Sequence, residues 1–308
     1  MKKFVKTTLI VIACLVVVVL IAGYFLILRA PIPKDAAFTL DMSEVRTLAT
    51  GGGGELPVEV RSLVVAEGTF PAWVVVTGGG GGKLPMIFAA YQVVYPDKTV
   101  VIDACADKAT FETMPLPLGF FDDAAYGVLS ESLVSASLVL ITHEHIDHIG
   151  GIAASPRLAE ILPHLLFTKE QSQSFLMEEA GFPEGALAGY TPISYDRYYR
   201  AAPGVVLIKA PGHAPGQQMI YVVTKDCKEY LIVGDIVWSR ENLRREANRP
   251  LLISLMMKED LEAARGEIRW IIDNLYNNPS NTITYIISHD KDQLREYIDA
   301  GVIQEGFK

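Results

Sequence analysis

Five of the six histidines in this 308-residue chain lie just beyond short apolar segments that are typical of β-strands. Four such segments, at residues 137–141, 205–209, 230–234 and 284–288, lead into histidine or aspartate. The polar residues that follow them are His143, His145, Asp147, His148, His213, Asp235 and His289. In layered α/β proteins, the carboxyl ends of the strands form the crevice where ligands bind. The spacing therefore predicts that these seven side chains converge on one site.

Imidazole and carboxylate groups in this number predict a pair of divalent metal ions. The two groups are His143, His145 and His213 for one ion, and Asp147, His148 and His289 for the other. Asp235 is predicted to bridge both ions. Zinc is the first expectation, with manganese or iron as alternatives. Two ions about 3.5–4 Å apart can hold a hydroxide between them and polarise a carbonyl or phosphoryl oxygen, which is the chemistry of hydrolysis.

Three further polar residues near these motifs are interpreted as supporting or structural. Asp103 follows a predicted strand and is expected to hydrogen-bond a ligating histidine. Glu144 alternates away from the ligands, so we expect it to be solvated or to support the site without binding metal. His164 lies beside Pro163 in an apolar stretch and is interpreted as a hydrogen-bonded core residue.

The segments that position these residues change character along the chain. Runs of Val, Ile and aromatic residues predict several strands first, and strands that alternate with helices follow them. The predicted strands occupy residues 58–65, 72–76, 86–94, 99–102, 137–141, 205–209, 218–223, 230–233 and 282–287. Helices are predicted over 258–274 and 293–300, the second with Gly301 as its C-terminal cap. This order indicates a layered α/β domain.

Residues 7–28 form an uncharged run in which 19 of 22 residues are apolar, long enough to cross a bilayer as a helix. A cleaved signal peptide has a shorter apolar stretch, so an uncleaved anchor is predicted, ahead of lipidation at Cys14. Lys2, Lys3 and Lys6 precede the run, which favours a cytoplasmic N-terminus and a domain on the far side of the cell membrane. The predicted organisation is an anchor at 1–30, a linker at 31–55 and a catalytic domain at 56–308.

The charge of the chain argues against polyanionic substrates. The net charge is −9, and residues 35–308 carry 22 Lys and Arg against 36 Asp and Glu, a net charge of −14. Proteins that bind nucleic acid need a basic face to displace counterions from phosphate, so no nucleic-acid partner is expected. Cys105 and Cys227 would pair only in an oxidising compartment, and two unpaired thiols are the expectation.

Four motifs in this order resemble those of the metallo-β-lactamase-fold hydrolase superfamily. They are Thr142-His143-Glu144-His145-Ile146-Asp147-His148-Ile149-Gly150-Gly151, Pro211-Gly212-His213, Gly234-Asp235 and Ser288-His289-Asp290. The resemblance covers about residues 56–300. It implies a four-layer αββα sandwich with the metals at one edge between the sheets, preceded in this chain by one transmembrane helix. It also implies the same seven ligands that the chemistry of the residues suggests.

Within that superfamily, the layout looks most like the N-acyl homoserine lactone lactonase branch. The segments that carry this likeness are residues 101–103, 210–217, 235–242 and 289–290. Lactonases usually have a tyrosine three residues after the bridging aspartate, where its phenol assists at the substrate carbonyl or leaving group. This chain has Trp238 at that position, and an indole N–H donates a hydrogen bond but cannot act as an acid.

Other branches of the superfamily fit this sequence less well. True β-lactamases of this fold generally lack the bridging aspartate, so Asp235 counts against that activity. Nucleases share the ligands but conflict with the acidic charge. Thioesterases of the hydroxyacylglutathione hydrolase type usually bring basic residues to the glutathione carboxylates, and no such residues stand out in the sequence.

The sequence thus predicts a membrane-anchored, binuclear metal-dependent hydrolase that opens a lactone or a related small-molecule ester. A metal-bound hydroxide attacks the carbonyl, and Asp147 or Asp235 handles the proton. One alternative is a thioester or phosphodiester hydrolase of the same fold. The other is a non-catalytic membrane-tethered protein that keeps the metals for structure.

Overall fold

The computed structural model describes residues 2–114 and 118–308, and its strands form two β-sheets. The strands are β1 Glu59–Pro71, β2 Lys83–Val94, β3 Thr99–Ile102, β4 Leu118–Phe121, β5 Leu138–Leu140, β6 Leu165–Leu166, β7 Tyr198–Ala202, β8 Val205–Lys209, β9 Gln218–Val223, β10 Glu229–Ile232, β11 Thr284–Ile286 and β12 Gln304–Glu305. Strands β8 and β9 have the bounds that the sequence predicts.

The helices lie before, between and after these strands. They are α1 Lys2–Gly23, which continues as a π-helical turn Tyr24–Leu28, α2 Met42–Thr50, α3 Ala72–Val75, α4 Lys108–Thr113, α5 Asp123–Ser135, α6 Ile146–Ala153, α7 Leu158–Ile161, α8 Lys169–Ser172, α9 Leu176–Glu179, α10 Arg240–Arg244, α11 Leu251–Met256, α12 Leu261–Ile271 and α13 Lys291–Asp299. A π-helical turn Ile272–Tyr276 extends α12.

The pairing of the strands determines which strand ends meet. The first sheet has the order β12-β1-β2-β3-β5-β6, with β4 beside β1, and the second has the order β11-β10-β9-β8-β7. β3 and β5 are parallel, and so are β10 and β11. Because parallel strands end at the same edge of a sheet, the polar residues that follow β3 and β5, and those that follow β10 and β11, are brought together in pairs.

Three apolar cores hold the layers together. Buried side chains of both sheets fill the central core, among them Val60, Tyr91, Val93, Leu140, Leu207, Ile220 and Tyr230. A second core lies between the first sheet and α5 and α6, and a third lies between the second sheet and α2 and α12. Full burial of each such side chain contributes about 1.5–3 kcal/mol. Helices therefore cover both outer faces, and the predicted αββα sandwich is confirmed.

Helix α12 shows how a sequence pattern fixes one of these outer layers. Its N-terminus is capped by the Asp260 carboxylate, which accepts hydrogen bonds from the next residues' backbone N–H groups. Ile268 and Ile271 lie on one stripe of the helix and are fully buried against the second sheet. The prediction placed its start at Lys258, but that residue has φ +58° and lies outside the helix. The capping aspartate therefore sets the start.

Residues 72–76, predicted as a strand, instead contain α3 Ala72–Val75. The apolar run Ala-Trp-Val-Val-Val is too short for its periodicity to separate strand from helix. Pro71 precedes the helix with φ −54°, and Ala72 accepts the Val76 N–H bond at 3.0 Å. The strand prediction was wrong here because proline favours the start of a helical turn.

The predicted linker at 31–55 contains helix α2, which packs onto the second sheet. The Asp41 carboxylate caps its N-terminus by accepting hydrogen bonds from two backbone N–H groups. Val45 and Ala49 are fully buried in the core of that sheet. Residues four apart lie on the same face of a helix, so Val45 and Ala49 together pack one face of α2 against the sheet. Helix α2 therefore belongs structurally to the sandwich.

Among the described residues, one helix is long and apolar enough to cross a membrane, Phe4–Leu28. It is exposed along its length apart from its last turn. A signal sequence near an N-terminus passes the same test of length and composition. Of the three cysteines, Cys14 lies in this helix, Cys105 is buried and Cys227 is exposed, and all three are free thiols.

Candidate metal centre

The loop between β5 and α6 supplies four of the seven predicted site residues. His143 follows β5, His145 precedes the first residue of α6, and Asp147 and His148 lie in its first turn. A side chain at Gly151 would place a Cβ 2.3 Å from the Ala104 carbonyl oxygen, so only glycine lets α6 approach the end of β3 this closely. The close approach holds the four side chains at the edge of the first sheet.

The other three site residues come from the second sheet. His213 lies beyond β8, Asp235 beyond β10 and His289 beyond β11. Gly234, directly before Asp235, has φ +61°, a left-handed conformation that glycine adopts without strain. The turn at this glycine leads to Asp235, whose Oδ2 lies 3.0 Å from Nε2 of His289, the residue that follows the neighbouring strand β11.

The structure brings all seven predicted residues together in two groups. Within each group, one ligand atom from every residue lies within 4.8 Å of the others. The groups are His143, His145 and His213, and Asp147, His148, Asp235 and His289. Asp235 lies between them, with Oδ2 3.8 Å from His213 Nε2 and Oδ1 3.4 Å from His148 Nε2.

The unpartnered atoms of the site fit a pair of metal ions. Nε2 of His143, His148 and His213 and Oδ1 of Asp235 are buried and make no hydrogen bond. Burying polar atoms without hydrogen-bond partners costs free energy. Four such atoms lie close together here, and bound cations would give them the partners they lack. The donor set of imidazoles and carboxylates suits Zn, Mn or Fe.

The pKa directions of three of these groups, His143, His145 and Asp235, agree with cation binding. Burial holds the pKa of His143 and of His145 well below the ordinary value, so both imidazoles are neutral. Burial would raise the pKa of Asp235, but His289 and His148 beside it hold that pKa well below its usual range. Neutral imidazole and ionised carboxylate are the forms that bind metal.

His148 is oriented by a carboxylate that follows the neighbouring strand. Its Nδ1 lies 2.9 Å from Asp103 Oδ2, and the Thr142 N–H donates to Asp103 Oδ1 at 2.7 Å. Asp103 has φ +63°, a conformation that costs free energy for a non-glycine residue. The geometry confirms the predicted hydrogen bond between Asp103 and a histidine of the site, with the Asp103 carboxylate as the acceptor. This hydrogen bond fixes the His148 ring so that its Nε2 points into the candidate metal centre.

His213 is oriented by a buried ion pair that the sequence reasoning missed. Its Nδ1 lies 2.7 Å from Glu259 Oε1, and the Arg249 Nε donates to the same oxygen at 2.9 Å. Both Arg249 and Glu259 have fully buried side chains. Burial would raise the pKa of Glu259, but the Arg249 guanidinium and the His213 bond lower it to about 2. Glu259 is therefore ionised throughout the neutral range.

The Trp238 side chain hydrogen-bonds Asp235, the aspartate that lies between the two ligand groups. Its Nε1–H donates to Asp235 Oδ2 at 2.8 Å, and His289 Nε2 lies 3.0 Å from the same oxygen. The Arg249 guanidinium carbon lies 4.6 Å from the Trp238 ring centroid, and its NH1 donates to the Asp235 carbonyl at 3.0 Å. One arginine thus contacts the supports of both His213 and Asp235.

The structure bears on two predictions about neighbouring residues. Of the two alternatives for Glu144, the solvated one is wrong: the side chain is fully buried, because the loop at Gly216 covers it and donates a backbone N–H to its Oε1 at 3.1 Å. Burial raises the pKa of this carboxyl. His164 lies half-buried on a short 3₁₀ turn, outside both ligand groups, so the interpretation as a core residue was wrong.

A cavity of about 200 Å³ opens over the site. Its walls are mostly apolar. They comprise Phe70, Met86, Phe88, Met114, Ile146, Trp238 and Met257, with His145, Asp147, His289 and Glu179 as the polar residues. No lysine or arginine is among these described lining residues. A bound molecule would place a polar group on the ligand side and an apolar group along the walls.

The model of the metallo-beta-lactamase superfamily matches residues 89–265, more than half of the chain. The chain belongs to this superfamily, and with this centre it is a metal-dependent hydrolase. An N-acyl homoserine lactonase from Bacillus thuringiensis is 29% identical over 108 residues, 35% of this chain and 41% of that protein. A lactonase from Bacillus cereus matches with the same identity and coverage. The match thus spans less than half the length of these relatives.

Solved structures with the same fold include lactonases. An N-acyl homoserine lactone hydrolase with N-hexanoyl-L-homoserine at its catalytic metal centre superposes with a TM-score of 0.60 and 15% identity, covering 78% of this chain and 96% of that one. The dizinc quorum-quenching lactonase AidC superposes with a TM-score of 0.53 and 15% identity. The superposition covers 76% of this chain and 88% of that one. At these identities the likeness shows the fold.

Proposed function

We propose that this protein is a membrane-anchored hydrolase of lactones or related esters that works with two divalent ions. The observation that carries the proposal is the convergence of the two ligand groups on Asp235 beneath an apolar cavity. The similarity to N-acyl homoserine lactonases supports the choice of lactone. We also propose 1–30 as the anchor and 56–308 as the catalytic domain, with the intervening segment 31–55 adding helix α2 to the second sheet.

In this proposal, the first ion binds the three-histidine group and the second binds the mixed group, with Asp235 shared. The ligands are His143, His145, Asp147, His148, His213, Asp235 and His289. When bound, two divalent ions supply the Lewis acidity that ester hydrolysis needs at neutral pH. Zinc is the proposed metal because three imidazoles are a common zinc donor set.

Asp147 is the better placed of the two aspartates to move the proton. It is only partly buried, with 19% of its side chain exposed, and it lines the cavity. Asp235 is almost fully buried, and Trp238 and His289 occupy its Oδ2. We propose that the Asp147 carboxylate accepts the proton of the attacking water and returns it to the leaving alcohol oxygen.

The cavity favours an uncharged apolar substrate. Phosphodiesters and glutathione thioesters bring negative charges, and the described walls offer no lysine or arginine to meet them. Trp238 uses its N–H on Asp235, so it has no free donor for a substrate carbonyl at that atom. The proposed substrate is therefore a lactone or ester whose apolar chain lies along Phe70, Phe88 and Met257.

The test is a turnover panel with the full chain in detergent, loaded with zinc. We expect hydrolysis of acyl lactones, with little turnover of phosphodiesters or thioesters. His145→Ala and Asp235→Ala should reduce turnover to background while far-ultraviolet circular dichroism stays unchanged. His164→Ala is the matched control, because that histidine lies outside the site and its loss should leave turnover intact. Undiminished hydrolysis in either site variant would exclude the proposed centre.

The anchor and its orientation are tested separately. Cys227 is exposed on the domain, whereas Cys105 is buried and Cys14 lies in the membrane helix. If the domain lies outside the cytoplasm, a membrane-impermeant maleimide will label intact cells at Cys227 and the label will disappear in Cys227→Ser. Labelling only after cell lysis would show the opposite orientation, and recovery of the chain in the soluble fraction would exclude the anchor.

A further inference from the structure

The chain is fixed to the domain directly after the membrane helix ends. The Asn248 N–H donates to the Ala30 carbonyl at 3.0 Å, and the Ile32 N–H donates to the Glu246 carbonyl at 2.9 Å. Pro31 and Ala247 form an isolated antiparallel bridge between these two bonds. Ala30 and Ile32 are buried. The end of the membrane helix therefore has a defined position on the domain.

Helix α11 follows this attachment and lies against the end of the membrane helix. It contacts the last turn, Tyr24–Leu28, in which Leu26 and Ile27 are half-buried. Because that turn is the end of the proposed membrane span, α11 lies on the side of the domain that faces the bilayer.

The same short segment reaches the wall of the active-site cavity. Ile253 and Met257 pack against the core beneath the first sheet, and Met257 lines the cavity over the metal centre. Because α11 is only six residues long and Met257 directly follows it, fewer than two turns of helix separate the contact with the membrane span from the contact with the cavity. The cavity wall at Met257 thus lies close to the bilayer side of the domain.

The solvent side of α11 carries large apolar side chains. Leu255 is 53% exposed and Met256 is 70% exposed. Lys258 follows them, and its Nζ lies 4.0 Å from the ring centroid of Phe175, which is 39% exposed. Apolar and aromatic residues edged by lysine are the composition found where proteins meet the boundary between lipid and water. We call this group, Phe175, Leu255, Met256 and Lys258, the rim surface.

We propose that the rim surface rests on the bilayer and that the cavity takes its substrate from the membrane. The substrate class is then an amphiphilic ester or lactone with a long acyl chain, whose chain passes from lipid along Met257 to the apolar walls. The occupant of the rim surface is lipid because the chain's own membrane helix ends beside it. The substrate part of this proposal rests on the proposed function, while the contact with lipid rests on the anchor alone.

A depth measurement tests the contact. The full chain, carrying Cys14→Ser and Cys227→Ser, receives Met256→Cys, is labelled with an environment-sensitive fluorophore, and is placed in phosphatidylcholine vesicles that contain nitroxide lipids. We expect strong quenching at this position. The control is Val58→Cys, which is 43% exposed and lies at the start of β1, opposite the metal centre. Equal quenching at both positions, or none at position 256 in chains that float with the vesicles, would overturn the proposal.

A kinetic measurement tests the route of the substrate. In the double variant Leu255→Ser with Met256→Ser, turnover of a vesicle-dissolved long-chain lactone should fall about tenfold. Turnover of a water-soluble short-chain lactone should stay as in wild type, because neither residue lines the cavity. Val58→Ser is the control for loss of an exposed apolar side chain. Equal turnover ratios in wild type and double variant would overturn the membrane route. A dimer that the double variant dissociates would assign the rim surface to a second copy instead.

These measurements separate the two proposals. If the wild-type chain hydrolyses neither lactone, the proposed function fails, and the quenching result alone decides whether the rim surface contacts lipid. If the chain does not float with vesicles, the anchor and the rim proposal fail together. If short-chain turnover is normal and quenching is absent, only the rim proposal fails.

Discussion

The two ligand groups of the metal centre are supported in different ways. The three-histidine group depends on a buried ion pair, in which Glu259 holds His213 and Arg249 holds Glu259. The mixed group depends on Asp103, which follows the adjacent strand β3, and on a neutral backbone carbonyl, that of Ile87, 2.7 Å from His289 Nδ1. One group is supported by two charged residues that flank α11, and the other by a carboxylate just after β3 and a backbone carbonyl in β2 of the first sheet.

This difference predicts unequal tolerance to change. A buried ion pair is stable only while both partners are present, because removing one leaves an uncompensated charge in a medium of low polarity. In the mixed group, only the support of His148 is a side chain, that of Asp103; the backbone carbonyl that supports His289 cannot be removed by substitution of its side chain. We therefore expect the three-histidine group to be the more fragile half of the centre.

The largest expected effect is on stability. Arg249→Met leaves the fully buried Glu259 without its charged partner and should reduce the free energy of unfolding by about 3–5 kcal/mol. Chemical denaturation of the full chain in detergent, followed by circular dichroism, measures this change. Arg249→Lys keeps the charge and should recover part of it. Arg157→Met, which breaks an exposed ion pair with Glu131, should leave the midpoint unchanged. A stable Arg249→Met protein would remove the distinction between the two halves.

The next effect is a pH dependence beside the same histidine group. Glu267 is fully buried and accepts the Gly212 N–H at 2.9 Å, and burial raises its pKa from 4.5 to about 8. The folded chain keeps this proton while the unfolded chain releases it. The resulting stability is fully present below pH 4.5 and is lost as the pH rises through 8, at about 1.4 kcal/mol per unit.

Glu267→Gln should remove that slope, so the variant should lose less stability than wild type between pH 5.5 and 7.5. Unfolding curves at the two pH values provide the comparison. Glu262→Gln, an exposed position on the same helix, should keep the wild-type slope. Identical slopes in all three proteins would mean that Glu267 does not hold a proton in the folded state.

A third effect separates the halves by metal affinity. Glu259→Gln weakens the support of His213, and Asp103→Asn weakens the support of His148. Substitutions of groups that orient ligands typically cost 10–100-fold in metal affinity. We expect each variant to retain one tightly bound ion and to release the other to a chelator, as measured by native mass spectrometry. Loss of both ions together from either variant would show that the halves are not independent.

The smallest effect concerns Trp238, which contacts supports of both halves. Trp238→Phe removes one hydrogen bond to Asp235 and should lower kcat/KM about two- to tenfold, corresponding to about 0.5–1.5 kcal/mol. Trp238→Tyr restores a hydrogen-bond donor that can also act as an acid. Its kcat/KM on acyl lactones should therefore be higher than that of the phenylalanine variant. Unchanged activity in Trp238→Tyr would mean that this position does not set substrate preference.

The candidate ligands could be predicted from the sequence because each lies shortly beyond the end of an apolar strand. A strand of alternating or continuous apolar residues ends at a definite residue, and the polar residues beyond it must lie at the sheet edge. Asp103 was predicted on the same basis, and the structure places it against His148. The fold followed from the order of strands and helices together with the motifs.

The support of His213 could not be predicted in this way. Arg249 and Glu259 flank α11, and no periodic pattern marks either residue. Their contact with His213 depends on how the segment around α11 packs onto the rest of the domain, which is a tertiary property. The same reason explains Glu144, whose side chain is covered by a loop about seventy residues further along the chain.

The bridge between Pro31 and Ala247 determines how much freedom the catalytic domain has above a membrane. A flexible linker of 25 residues would have a root-mean-square end-to-end distance of about 25–30 Å, so the domain could move that far from its anchor. Here the chain is hydrogen-bonded at Ala30, two residues beyond the helix, and in an anchored chain this attachment would hold the domain at one height and one tilt. On the proposed membrane route, the search for a lipid-dissolved molecule would then take place in two dimensions, by lateral diffusion, with the cavity at a constant distance from the bilayer surface.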